Sequence, residues 1–173
     1  MTAFEIRAGD AADRPAIEAL YPRAFPDEDL LPLVGALLDR PKEALSLIAV
    51  KDGVLLGHIV FTACALDDPA ANPALLGPLA VRPERQRQGV GEALIRDGLS
   101  RLRKTGTTQV LVLGDPNYYA RFGFEEERSV APPSETPAEW KSAWRSLTLG
   151  GAAPAQGVLR TPEPWARPEL WAP

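Results

Sequence analysis

Cysteine and histidine occur once each in this chain, as Cys64 and His58. A lone cysteine excludes an internal disulfide and a cysteine-built metal cluster. A lone histidine would have to carry a histidine metal site or a Ser-His-Asp triad unaided, so no metal site is expected. Long apolar runs are missing as well. Nothing approaches the roughly 18 consecutive apolar residues of a membrane span. The opening Met-Thr-Ala-Phe-Glu-Ile-Arg lacks the charged and then apolar profile of a signal peptide. Nor is there an excess of positive charge. The formal net charge is −4 and the Lys and Arg residues are scattered, which argues against a dedicated nucleic-acid surface. There are no internal repeats. These absences point to a cytoplasmic protein with neither membrane nor nucleic-acid partners. Its 173 residues, 45% hydrophobic and 24% charged, suit one domain with a substantial core.

Residues 75–91 dominate what is present. The apolar run Leu75 to Val81 stops at Pro83, an arginine-rich turn follows with Arg82, Arg85 and Arg87, and Gly89 and Gly91 then open a helical pattern. Such a strand, basic turn and glycine-rich helix start suits an anion. The first N–H groups of a helix lack internal partners and sit at the positive end of its dipole. Glycine lets a phosphate approach those groups without meeting a Cβ. The patch is local and fits a nucleotide-sized ligand.

Taken in order, Phe4 to Arg7 alternates as a first strand, and Asp10 or Asp13 can cap a helix with Ile17, Leu20, Tyr21 and Phe25 on its apolar stripe. A second helix is expected over 29–40, after an acidic linker at Pro26-Asp27-Glu28. Leu45 to Val50 and Val54 to Cys64 read as strands joined by a Lys51-Asp52-Gly53 hairpin turn, and Leu75 to Val81 as the next. A helix over 90–104 ends at Gly106, followed by a buried strand Gln109 to Leu113, a short helix 117–122 and a strand starting at Phe124. Beyond Val130 the character changes: 131–173 holds all four tryptophans and eight of the 18 prolines. Leu147 to Leu149 and Val158 to Arg160 could form two more strands there. The tryptophans read as packing, within this domain or against a second copy, which leaves a homodimer open. The expected fold is α/β: a mixed, mostly antiparallel sheet with helices on both faces, a core over 1–130, and 131–173 completing the same domain.

Two runs resemble a known family. Leu76-Gly77-Pro78-Leu79-Ala80-Val81-x-Pro83 followed by Gln86-x-x-Gly89-x-Gly91 is similar to the acetyl-coenzyme A signature of the GNAT N-acetyltransferase superfamily. Gly114-Asp115-Pro116-x-Tyr118-Tyr119-x-Arg121-x-Gly123-Phe124 resembles its second motif, in a bacterial subfamily of small predicted acetyltransferases. The resemblance implies the GNAT fold over about residues 3–125 and acetyl-CoA as co-substrate. It implies that Gln86, Arg87, Gln88, Gly89, Val90, Gly91 and Glu92 hold the pyrophosphate. It also implies that the peptide groups of Leu79, Ala80 and Val81 face the pantetheine arm.

The same resemblance gives Tyr119 the role of general acid, protonating the departing thiolate. A free thiol has a pKa of about 8.5 and a phenol about 10, so the proton can be handed over at modest cost. Tyr118 competes for the role, but adjacent helical residues point about 100° apart and only one can face the sulfur. Val112 stands where many members carry a coenzyme-contacting asparagine, and no role passes to the nearby Asn117. The general base stays open among Glu28, Asp29, His58, Asp67, Asp68 and water. Glu28 and Asp29 lie where the family usually builds its acceptor site. His58, after Gly57 in a β run, reads as structural, and Cys64 reads as core, so direct transfer in a ternary complex is expected. The implied activity is acetyl transfer to the amine of a small molecule or protein, and the acceptor itself is not specified. An acyl-CoA-binding sensor without catalysis is the alternative. A dinucleotide oxidoreductase fits poorly, because its third glycine would fall at Leu94.

Overall fold

The computed structural model describes residues 3–172. Nine strands and four α-helices follow one another among them. They are β1 (Glu5–Ala8), α1 (Arg14–Ala24), α2 (Leu31–Leu38), β2 (Ala44–Lys51), β3 (Val54–Ala63), β4 (Pro73–Val81) and α3 (Val90–Lys104). After these come β5 (Gln109–Leu113), α4 (Pro116–Ala120), β6 (Glu125–Glu126), β7 (Val130–Ala131), β8 (Trp144–Thr148) and β9 (Gly157–Val158). Seven strands hydrogen-bond in the order β1-β2-β3-β4-β5-β8-β6, and β7 pairs with β9. The sheet is mixed: β1–β2, β5–β8 and β6–β8 are antiparallel, while β4–β5 is parallel, as a β-α-β crossover requires. No helix among the described residues is long and apolar enough to cross a membrane.

Two compact units make up the chain: Met1–Phe61 with Gly77–Arg101, and Thr62–Leu76 with Leu102–Pro173. In the first, Asp10 and Asp13 form a reciprocal capping box, and Asp13 also takes two hydrogen bonds from Arg7, at 2.8 and 2.9 Å. Pro15 sits in the first turn of α1, where its missing N–H is harmless. The β2–β3 turn places Asp52 at φ 50° and Gly53 at φ 77°, the paired positive values of a two-residue hairpin. Helices cover both faces of β3. His58 faces α1 through Tyr21, whereas a Cβ on Gly57 or Gly98 would strike the α3–β3 contact. It would meet Val90 Cγ1 at 2.9 Å from Gly57, and Phe61 Cε1 at 2.0 Å from Gly98. Both glycines are therefore needed for close packing. The α1 side of this core gathers Ile17, Leu20, Tyr21, Val34, Ile48, Leu55 and Ala80.

The second unit is held by its tail. Strand β8 lies between β5 and β6, with Trp144 opposite Leu113. Trp144, Trp165 and Trp171 are buried, and each indole N–H has a partner: Val130 O, Thr62 Oγ1 and Trp165 O respectively. Arg160 pairs with Asp67 and bridges to Ala65 through the backbone.

Several boundaries differ from expectation. Helix α2 spans Leu31–Leu38 rather than 29–40, because Asp29 stays outside and accepts the Leu31 N–H through its side chain. Helix α4 starts one residue early at Pro116, capped by Asp115. The tail strands do not pair with each other. Gly150 and Gly151, at φ 64° and 70°, turn the chain away from β8, and β9 pairs in parallel with β7. Cys64 is half-buried at the end of β3 rather than within it, its thiol raised to about 12, chiefly by burial.

Candidate active site

Between β4 and α3 the sequence builds a loop with little freedom. Pro83 opens a single 3-10 turn, Pro83–Arg85, closed by Arg85 N–H to Arg82 O at 2.8 Å. Gln88 Nε2 then donates back to Glu84 O at 3.0 Å, and Gln86 Nε2 reaches Val81 O at 3.3 Å. Arg87 adopts φ 62° and Gly89 φ 86°, so left-handed residues alternate with Gln88 in the approach to the helix. Alternation of this kind turns successive N–H groups toward one side, a concavity suited to anions. Positive φ is uncommon outside glycine, and Arg87 holds it in an exposed loop.

The first i→i−4 bond of α3 runs from Ala93 N–H to Gly89 O at 3.0 Å. The N–H groups of Val90 and Gly91 precede it, in the first turn, where a helix offers no carbonyl to donate to. Gln86, Arg87, Gln88 and Gly89 are exposed, and a Cβ on Gly89 would meet nothing within 4 Å. Upstream, Ala80 is buried and Leu79 and Val81 are half-buried in β4. Leu79 to Glu92 thus lie together in the first unit as one strand, turn and helix start. Glu84 ties this turn to α1. It accepts from Arg23 at 2.9 and 3.2 Å and from Arg82 at 3.4 Å. Its own backbone N–H, with Arg82 and Arg23, keeps its carboxyl below the usual range.

Tyr119 belongs to the second unit, on the single turn of α4. Its ring meets Tyr118, Phe122 and Phe124 at centroid distances of 5.1, 6.5 and 5.6 Å. Gly114 supplies the space. A Cβ there would stand 2.5 Å from Tyr119 Cε2. Burial first, then the nearby Tyr118 and Asp115, push the Tyr119 phenol above its ordinary value. Tyr118 is half-buried, with the Arg121 guanidinium over its ring at 5.5 Å. The sequence alone carries no sign of the contact between Gly114 and Tyr119.

The candidate bases occupy different settings. Glu28 and Asp29 line a surface pocket between α1 and α2. His58 is fully buried, with Nδ1 2.7 Å from Tyr21 Oη and Nε2 2.8 Å from Ser46 Oγ. Burial lowers its pKa to about 3, so both nitrogens are engaged and the ring is neutral. Asp67 is paired with Arg160, and Asp68 accepts the Ala70 N–H in a turn. Residues this far apart in sequence gave no sign of the Tyr21–His58–Ser46 chain.

The acetyltransferase (GNAT) family matches residues 14–124. The chain is similar to YjhQ of Escherichia coli K12, named an uncharacterized N-acetyltransferase. The two are 37% identical over 153 residues, 84% of each protein. Among solved structures, it resembles the GNAT family N-acetyltransferase YhbS from Escherichia coli in complex with CoA. That likeness has a TM-score of 0.83 and 28% identity, covering 95% of this chain and 92% of that one. It also resembles a GNAT family acetyltransferase from Brucella melitensis in complex with acetyl-CoA. There the TM-score is 0.75 and the identity 32%, with coverage of 94% and 97%.

Proposed function

The chain belongs to the acetyltransferase (GNAT) family, and from that premise we propose that it moves an acetyl group from acetyl-CoA to a primary amine. The observation that carries this reading is the β4–α3 turn. Arg87 and Gly89 at positive φ lead directly into helix N–H groups that have no internal carbonyl partner. A pyrophosphate suits that turn, with Gln86 to Glu92 as its binders. Leu79, Ala80 and Val81 offer peptide groups to the pantetheine arm. Two relatives of known structure hold CoA or acetyl-CoA, which supports the donor assignment.

Transfer proceeds directly, in a ternary complex with a small-molecule or protein amine. The amine first gives up a proton to a carboxylate or to water. Its nitrogen then attacks the thioester carbonyl carbon, and a backbone N–H of β4 stabilises the oxygen as it gains charge. The C–N bond forms, the C–S bond breaks, and the electron pair leaves on sulfur. Tyr119 supplies the proton that makes the thiol, and the attacking nitrogen, once bonded to the acetyl carbon, gives up its second proton, which restores the Tyr119 phenol. The products are an acetamide, CoA thiol and one released proton. The raised phenol pKa has two consequences here. Tyr119 stays protonated through neutral and mildly alkaline pH and is ready as a donor. Complete transfer before charge has built on sulfur is unfavourable, so its proton moves with C–S cleavage.

An amine panel assayed by free-thiol release from acetyl-CoA tests the reading. Tyr119→Phe should lower turnover by about 10² or more, as for loss of a general acid, while acetyl-CoA affinity holds. Unchanged turnover would remove Tyr119 from the chemistry. Normal acetyl-CoA binding with no thiol release from any amine would favour a non-catalytic acyl-CoA sensor instead.

A further inference from the structure

Glu84 stands where electrostatics alone would disfavour it. It lies in the 3-10 turn Pro83–Arg85, directly ahead of the residues that would meet a pyrophosphate, and an ionised carboxylate there repels phosphate. What Glu84 offers is two points of attachment. Its backbone carbonyl accepts from Gln88 Nε2 at 3.0 Å, which closes the loop on itself just before Gly89. Its carboxylate accepts from Arg23 Nη2 at 2.9 and 3.2 Å and from Arg82 Nη1 at 3.4 Å.

Both arginines are fixed elsewhere. Arg23 stands in the last turn of α1. Arg82 donates through Nε to Leu55 O at 2.5 Å and through its backbone N–H to Leu56 O at 2.8 Å, both on β3. One side chain thus ties the turn to a helix and a strand of the same unit. Restraint matters here because Arg87 holds φ 62°, which a non-glycine residue adopts rarely, so a free loop would sample other conformations. A loop held in advance need not be ordered when its ligand arrives.

We propose that Glu84 is a positioning residue for the coenzyme: clamped by Arg23 and Arg82, it holds the β4–α3 turn in its anion-binding conformation before acetyl-CoA arrives. The restraint outweighs the repulsion between its carboxylate and the phosphates. Its role rests on the acetyl-CoA reading of that turn, but not on Tyr119 or on any acceptor.

Glu84→Gln keeps the size and the backbone carbonyl and removes only the charge. Relief of repulsion would tighten acetyl-CoA binding, whereas loss of the clamp weakens it. Calorimetry on the full chain should show acetyl-CoA binding weakened at least about threefold, within reach of an exposed ion pair. Arg23→Gln approaches the same contact from α1 and should lose a similar factor. The double variant R23Q/E84Q should lose no more than either single one, because both remove one clamp. In thiol release, KM for acetyl-CoA should rise while kcat at saturation holds within about twofold. Tighter or unchanged binding by Glu84→Gln, or single effects that simply add in the double variant, would overturn the proposal. A lowered Tm with unchanged acetyl-CoA affinity would overturn it too, leaving Glu84 a purely structural contact. Failure of the wild-type chain to bind acetyl-CoA would remove the donor reading itself, whereas normal wild-type binding with tighter binding by Glu84→Gln removes the clamp alone.

Discussion

Replacing Gly114 by alanine adds one methyl group, and its whole effect should fall on Tyr119. Gly114 does not have positive φ, so alanine can adopt its backbone conformation without strain. The added Cβ would stand 2.5 Å from Tyr119 Cε2 and 3.1 Å from Cδ2. Ordinary carbon contacts begin near 3.5 Å, so one of the two groups must move by about 1 Å. Gly114 is hydrogen-bonded through its N–H to Ala143 O at 2.9 Å, which leaves the ring to yield. The ring is wedged among Tyr118, Phe122 and Phe124. Overpacking of this kind costs about 1–3 kcal/mol of stability. A reactive group misplaced by about 1 Å costs about 10²-fold in rate. We expect Gly114→Ala to lose roughly that factor in kcat for thiol release while retaining acetyl-CoA affinity. In combination with Tyr119→Phe it should add little, since both changes remove the same proton donor. Full turnover in Gly114→Ala, or losses that multiply in the double variant, would refute the assignment of Tyr119 and of the glycine that seats it.

Gly89→Glu should weaken acetyl-CoA binding by at least about 100-fold in calorimetry. A left-handed L-residue costs about 1–2 kcal/mol, and its carboxylate faces the phosphates. Gly89→Asn, neutral and tolerant of positive φ, should bind nearly normally, and equal losses in the two would shift blame from charge to backbone. Gly98→Ala puts a Cβ 2.0 Å from Phe61 Cε1 and should lower Tm by several degrees, with about 1–3 kcal/mol or more lost. An unchanged Tm would mean that α3 and β3 separate freely. His58 is buried neutral with a pKa of about 3 against an ordinary 6.5, so the unfolded chain binds its proton first as pH falls. Stability should therefore decline between about pH 6.5 and pH 3, by up to roughly 1.4 kcal/mol per pH unit. His58→Gln should flatten that slope in urea titrations, and an identical slope would show that His58 is not its source.

The β4–α3 turn and the elements around it were legible because their geometry is carried by backbone. Helix α3 and strand β5 occupy the residues expected, Val90–Lys104 and Gln109–Leu113. An amphipathic period ending at Gly106, with φ 91°, leaves few alternatives for that stretch. The hairpin at Asp52-Gly53 was equally plain, since few residue pairs accept two positive φ values. The tail was less plain. Short strands such as β7 and β9 have two residues each and no period to read, and their pairing depends on where Gly150 and Gly151 send the chain. The seating of Tyr119 against Gly114, and of α3 against Phe61 through Gly98, depends on side chains that meet only after folding.

The segment between α1 and α2 shows how an acidic loop becomes the lining of a pocket only once the chain has folded. Had α1 continued past Phe25, Asp27, Glu28 and Asp29 would fan out at about 100° per residue and face three directions. The helix stops instead. Pro22 removes a donor inside α1, and Phe25 leaves helical geometry at φ −132° and ψ 73°. Pro26 and Asp27 then form a turn, with Glu28 N–H donating to Phe25 O at 3.3 Å, before Leu31 starts α2. That break brings the three carboxylates to one cavity, beside Phe25, which stacks on Tyr21 one helical turn earlier. Tyr21 in turn is held by His58, 37 residues away in sequence. The β4–α3 turn is therefore specified by glycine and proline within a dozen residues, whereas the α1–α2 pocket is specified by a helix end and a buried hydrogen-bond chain.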